Sequence, residues 1–210
     1  MNSHLDELFE DEALISRIKK RLPQLFRIAE LECSRAGKIG MQVGSMREAI
    51  VIALIIYKFG ESNVETDIPI TEPEVDVKLF GHPISIKTIT GRGFSGVKLV
   101  WTVDAQNARE FQEHYYPSSD ILFTQIVWGS RGGLYYIPVE AQRNLLNRMG
   151  RELYIKLPKL GTNPRGAEIT KEALQSLILD EGTKAIKIDW QKPKIDYDAY
   201  KRWLDYWREG

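Results

Sequence analysis

A single cysteine, Cys33, is all the chain carries, so no internal disulfide can form and no zinc site can be built from thiolates. One unpaired thiol also fits a reducing compartment. An excess of charge of either sign is missing too: 29 Lys and Arg face 29 Asp and Glu, for a formal net charge of +0 at pH 7. That balance argues against a protein that coats nucleic acid nonspecifically, while leaving room for local basic patches. No uncharged apolar run approaches the roughly 18 residues of a membrane span. The longest, Ala49 to Tyr57, is half that length. The first residues, MNSHLDELFEDE, are acidic and lack the basic region and apolar stretch of a secretory signal, so a cytoplasmic location is expected. Internal repeats and low-complexity segments are absent as well. What is present is 43% hydrophobic and 10% aromatic over 210 residues, enough to bury a sizeable core.

The periodicity alternates between helix and strand. Leu14, Ile15, Ile18, Leu22, Leu25, Ile28 and Leu31 recur at steps of three and four, which predicts one amphipathic helix or two interrupted at Pro23. A glycine-rich segment, AGKIGMQVGSM, leads into a helix from Met46 to Phe59 that is apolar nearly all round and expected to be buried. VDVKLF and ISIKTIT, separated by Gly81, His82 and Pro83, predict a hairpin, with His82 a turn residue. Strands are expected at Lys98 to Val103, ILFTQIVW, GLYYIPV, Leu153 to Leu157 and Lys184 to Ile188. Helices are expected at Ala105 to His114, Glu140 to Met149 and Thr170 to Leu179, with a last aromatic helix in DAYKRWLDYWRE. The whole reads as an α/β fold with a mixed sheet, not a doubly wound one.

Chemistry concentrates in EVDVKLFGHPISIKT. Metal-assisted hydrolysis of a phosphodiester needs a carboxylate for a divalent cation and a cationic group beside the attacking water and the charged phosphorane. Asp76 and Lys87 can supply that pair if the hairpin loop holds an even number of residues, which puts Asp76 directly across from Lys87. Ser85, two before the lysine, cannot be an anionic ligand. Glu48, entering an apolar helix, is the candidate second carboxylate, since a charge there needs a partner. Two alternatives stay open. Glu48 closes a capping box with Ser45 in SMRE, and Asp76 with Lys87 can be an ordinary cross-strand ion pair worth roughly 0.2 to 1 kcal/mol.

The order of Glu48 in a helix, Asp76 in one strand and Lys87 in the next, with GKIGMQVGSMRE before the helix, resembles the PD-(D/E)XK nuclease superfamily. Within it the chain is similar to the ThaI-type type II restriction endonucleases, which cut CGCG sites to blunt ends. The resemblance rests on residues 37–88 and on the joint spacing of Met41, Glu48, Asp76 and Lys87. It implies a restriction endonuclease-like fold over a single domain, 1–210: an N-terminal helical part (1–36), a catalytic core (37–138) and a C-terminal part for DNA contact and packing (139–210). It implies Glu48, Asp76 and Lys87 as catalytic residues, with Mg²⁺ bound by Glu48, Asp76 and the Ile86 carbonyl. With Ser85 in place of an acid, one ion is expected per site. It also implies Met41 as a wedge between base pairs, where unstacking costs a few kcal/mol and is offset by new contacts. Pro73 and Glu74 resemble half of the superfamily motif but are taken to lie out of register with the face carrying Asp76, and so as incidental.

Double-stranded DNA is then the expected partner. Lys38, Gln42 and Ser45 are suited to phosphates and base edges. Arg92 and Lys98 lie in a stretch from Val77 to Val103 without an acid, and Arg143, Arg148, Arg151, Lys156, Lys159 and Arg165 form a second basic stretch. Arg131, Arg143, Arg148 and Arg165 are the pool for reading guanine. A blunt cut in a palindrome implies a homodimer, with the N-terminal and C-terminal helices as candidate interfaces, and a host methyltransferase as functional partner. A structure-specific repair nuclease and a noncatalytic DNA-binding domain are the competing readings.

Overall fold

The computed structural model describes residues 4–35, 38–39, 42–69, 71–72, 74–102, 104–158 and 166–209. Helices α1 (Asp6–Glu10) and α2 (Glu12–Glu32) lead through the short ladder of β1 (Ser34–Arg35) and β2 (Lys38–Ile39) to α3 (Val43–Phe59). There follow β3 (Val64–Glu65), β4 (Val77–Leu79), β5 (His82–Thr90), β6 (Lys98–Val100), α4 (Ala105–His114), β7 (Asp120–Ile126) and β8 (Arg131–Ile137). The chain ends with α5 (Val139–Met149), α6 (Arg151–Tyr154), β9 (Ile155–Lys156), β10 (Ala167–Ile169), α7 (Lys171–Ile178), β11 (Lys184–Asp189) and α8 (Lys201–Arg208).

The central sheet has six strands in the order β11-β8-β7-β5-β4-β3. Only β5 and β7 run parallel, joined by a crossover through β6 and α4; the other neighbours are antiparallel. Alternation along the strands divides the core in two. Ile84, Ile86, Leu122, Ile126, Leu134 and Tyr136 face Leu14, Ile18, Leu22, Phe26, Val51 and Ile55 of α2 and α3. Ile121, Phe123, Tyr135 and Ile137 face α5, α7 and a small sheet of order β6-β10-β9. Strand β11, from the C-terminal third of the chain, completes one edge of the central sheet, so the three expected parts interlock. Among the described residues no helix is long and apolar enough to cross a membrane.

One open alternative is decided and two expectations change. Helix α2 runs unbroken through Pro23, which is itself buried between Leu22 and Phe26. Packing of that face outweighs the roughly 3 kcal/mol that an interior proline costs. Helix α3 begins at Val43, not Met46, and buries only the stripe Arg47, Val51 and Ile55, leaving Tyr57 60% exposed. The segment 153–157 is split between the end of α6 and β9, where only Ile155 and Lys156 are extended.

The hairpin turn lies one residue earlier than expected. Phe80 and Gly81, at φ 49° and 77°, make a two-residue turn of the kind that matches strand twist, and His82 opens β5 as an exposed strand residue. Phe80 is an unusual choice for positive φ; its ring lies against His4 and Phe59, with centroids 4.3 and 6.2 Å away.

At the far end of the sheet Gly132 admits no side chain. A Cβ there would lie 2.3 Å from the Gln125 carbonyl oxygen and 2.7 Å from Nε1 of the fully buried Trp190. Gly132→Ala is expected to lower unfolding stability by about 1 to 3 kcal/mol, measured by urea denaturation; an unchanged midpoint would contradict this packing.

Candidate active site

Asp76 stands just before β4, where its amide donates to the Ile84 carbonyl at 3.0 Å. The β3 ladder ends at the pair of Glu65 and Lys78, so no outer strand continues alongside Asp76. The β4–β5 register pairs Val77 with Ile84. Continued by one residue, it brings Asp76 opposite Ser85, with Lys87 two residues further along the same face. The expected even parity therefore holds, while the expected direct opposition of Asp76 and Lys87 is corrected to a diagonal one, because the turn is centred on Phe80 and Gly81, one residue earlier than the expected registers require.

The Asp76 carboxylate is held from below by β5. Its Oδ2 accepts from the Ile86 amide at 2.5 Å and from the Ser85 hydroxyl at 3.3 Å. Lys87 Nζ lies 3.7 Å from the same oxygen, both side chains being less than one-fifth exposed. Ser85, where an acid is common, is thus a hydrogen-bond donor that fixes the aspartate. Ile86 buries its side chain in the core, so it can reach the site only through its backbone.

Glu48 comes to this point from α3. The capping box is not formed: Gln42 is the N-cap residue, no side chain caps the helix, and Ser45 is inside the first turn. The Glu48 carboxyl instead lies within hydrogen-bonding reach of Asp76. Burial, first, and then the negative charge of Asp76 push its pKa up to about 7, against a partial opposing effect of Lys87. Two carboxyl groups crowded beside one lysine make a centre that favours an added positive charge.

Glu74 is the residue that sequence reasoning passed over. It sits in a turn, not on a strand, and burial raises its pKa to about 7 while the charge of Lys87 acts to lower it. It therefore stands within electrostatic reach of Lys87. Its separation of two residues from Asp76 was the available signal. Among the described residues no group of three or more His, Cys, Asp or Glu is arranged to hold a metal.

The expected DNA-contact residues divide. Gln42 and Ser45 are exposed at the first turn of α3, beside Glu48, and Arg92 is exposed after β5. Lys98 is ion-paired with Glu168, which also holds Lys156. Arg131 pairs with Asp189 at 3.3 Å, and Arg143 donates to the Pro117 carbonyl at 2.9 Å. Met41, Pro73 and Arg165 lie outside the described residues, as does the side chain of Lys38.

Because Glu48 holds its proton to higher pH in the folded chain than in the unfolded one, its contribution to stability is present below its ordinary pKa and is lost as pH rises toward 7. In metal-free buffer Glu48→Gln should therefore gain in melting temperature over the unsubstituted protein between about pH 5 and about pH 8. Parallel melting profiles would contradict the crowding of the two carboxyls.

Comparison with known proteins agrees with this geometry. No curated protein sequence matches the chain. A solved structure described as "Restriction endonuclease in complex with substrate DNA" is 58% identical, with a TM-score of 0.93 over 99% of this chain and 100% of that one. The profile of the family "Restriction endonuclease ThaI" matches residues 8–209, and the chain belongs to that family of site-specific DNA endonucleases.

Proposed function

We propose that this restriction endonuclease is Mg²⁺-dependent, acting through Glu48, Asp76 and Lys87 on double-stranded DNA at a short GC-rich palindrome, CGCG, and leaving blunt ends. The observation that supports it most is the meeting of Glu48 from α3, Asp76 before β4 and Lys87 on β5, three separate elements, at one open edge of the sheet.

The donor set fits the ion. Glu48 and Asp76 offer only oxygen, the hard ligand that Mg²⁺ prefers, and Mg²⁺ commonly uses one or two carboxylates and completes its shell with water and phosphate. The pKa of Glu48 is raised first by burial and then by the charge of Asp76, and a divalent cation would favour its ionised form against both. The Ile86 carbonyl is the further ligand in this reading, and Ser85 in place of an acid favours one ion per site. Bound there, Mg²⁺ supplies a Lewis acid toward the phosphate and lowers the pKa of water. Lys87 orients the attacking water and offers positive charge where the phosphorane becomes more negative. Asp76, fixed by the Ile86 amide and the Ser85 hydroxyl, keeps Lys87 in place.

Gln42, Ser45, Lys38 and Arg92 are the DNA contacts in this reading, with Met41 entering a base step. A homodimer places two such sites on a palindrome. Helix α2 spends its apolar stripe on the sheet, whereas α8 buries no residue and exposes Trp203, Tyr206 and Trp207, at 54%, 65% and 87%. Helix α8 is therefore the better candidate interface. A cognate methyltransferase would protect the host, and the cytoplasm is where both would act.

Digesting a plasmid of known sequence with Mg²⁺ is expected to give discrete blunt fragments ending at CGCG, and Lys87→Ala to lower the rate by about 10²- to 10³-fold. Random nicking would favour a structure-specific nuclease, and cleavage by Lys87→Ala at the normal rate would remove Lys87 from the chemistry. Met41→Ala should lower cleavage by roughly tenfold or more with an unchanged melting temperature, the unstacking cost no longer being offset. Unaltered cleavage kinetics would sink the wedge.

A further inference from the structure

Beside the carboxyl cluster lies a second charged cluster with the opposite character. Glu30, on α2, is fully buried, at 0% exposure, and its neighbours supply more positive charge than it needs. Arg47 Nη2 donates to Glu30 Oε1 at 2.8 Å, and Trp128 Nε1 donates to the same oxygen at 2.7 Å. Arg27 and Lys192 lie 3.5 and 3.6 Å from Oε2. The other arm of Arg47, Nη1, donates to Thr90 Oγ1 at 2.9 Å, and its guanidinium lies 5.6 Å above the Phe26 ring.

Arg47 directly precedes Glu48 at the start of the second turn of α3, and Thr90 ends β5, three residues after Lys87. One guanidinium therefore spans the helix that carries Glu48 and the strand that carries Lys87. Consecutive helix residues project about 100° apart, so fixing Arg47 inward fixes the direction of Glu48. The first turn needs such a hold. No side chain caps it, so its end would fray on its own. Val51 and Ile55 anchor the helix only one and two turns later. Glu48 also meets Asp76 against burial and repulsion, which acts to push the turn away.

We propose that Arg47 is the positioning residue of this active site: by forking between Glu30 and Thr90 it sets the rotation and depth of the N-terminal end of α3, and so holds Glu48 against Asp76. Arginine suits the task because its planar fork serves two acceptors at once, which lysine cannot do. Arg47 touches neither DNA nor metal in this account; it acts through Glu48, and the inference rests on the proposed role of that residue.

The test uses the full-length protein with Arg47→Met, Arg47→Lys and Thr90→Val. Thr90 is exposed at a strand end, and valine keeps the β-branched shape, so this variant spares the fold. Three quantities are read: amide hydrogen exchange of residues 43–49, Mn²⁺ affinity of the DNA-free protein by electron paramagnetic resonance, and single-turnover cleavage against DNA affinity. For Arg47→Met, exchange of the first turn should rise roughly tenfold or more. Mn²⁺ affinity and cleavage rate should fall about 10- to 100-fold, as on losing a residue that orients a ligand. DNA affinity should stay within about twofold, and Arg47→Lys should fall between. Thr90→Val should move exchange and Mn²⁺ affinity the same way with an unchanged melting temperature. A folded Arg47→Met that keeps the original exchange, Mn²⁺ affinity and cleavage rate overturns the proposal, as does a loss of melting temperature alone. If Arg47→Met does not fold, the other two variants decide by the same measures. If the unsubstituted protein takes up no Mn²⁺, the metal part of the proposed function fails, and exchange with cleavage still decides the role of Arg47.

Discussion

A carboxylate with no access to water must find its compensation within the protein, and Glu30 is where this molecule meets that demand. Its partners come from four places: Arg27 on its own helix, Arg47 on α3, Trp128 in the turn between β7 and β8, and Lys192 beyond β11. The helical layer, the end of the sheet and the final stretch of chain are thereby pinned at one point. Such a buried cluster adds little net stability, because desolvation offsets most of its Coulomb attraction. The Nε atoms of Arg27 and Arg47, buried without a hydrogen-bond partner, are part of that cost. What the cluster contributes is geometry, since the elements that carry Arg27, Arg47, Trp128 and Lys192 meet at the one carboxylate.

The neighbouring site is built on the opposite principle. Glu48 is pressed toward Asp76 by burial, and Glu74 is raised to about 7 by burial alone while Lys87 pulls against it. One residue along α3 separates a fully compensated charge from an uncompensated one. A carboxyl pair left to itself would relax apart, so the strained arrangement persists because its surroundings are over-determined. Ser85 and the Ile86 amide fix Asp76 from β5, and the Glu30 cluster fixes the root of Glu48. Perturbed carboxyls of this kind gather at functional sites, and the cation of the proposed function would relieve this perturbation.

Much of this was legible in the chain. The alternation of VDVKLF and ISIKT puts Asp76, Ser85 and Lys87 on one face whatever the even turn length, and that parity holds. Helix α4 occupies the expected Ala105–His114, because its periodicity and the Asp104 cap agree. The register itself was not legible. It depends on Phe80 accepting positive φ, which is stabilised by rings from distant parts of the chain. Nor was the start of α3: SMRE has the local form of a capping box, and only tertiary contacts of Arg47 and Glu48 draw the helix back to Val43. Glu30 and Arg47 read as ordinary polar positions on amphipathic helices. Nothing local distinguishes a solvated charge from one whose partner is 17 residues away.

The equal counts of acids and bases take on a sharper meaning once the pairs are known. Several bases pair within the chain: Lys98 and Lys156 with Glu168, Lys78 with Glu72 at 2.9 Å, and Arg47 with Glu30. Among the described residues near the site, Arg92 is exposed after β5, and Gln42 and Ser45 at the start of α3, and in the proposed function these meet the DNA. A protein with few phosphate contacts releases few counterions, so its nonspecific hold on DNA is weak and depends little on salt. Affinity must then come from base contacts and from the deformation of the cognate site, interactions that only the right sequence can supply. Internal neutralisation of charge thus works toward specificity, because it removes the binding energy that every wrong sequence would share.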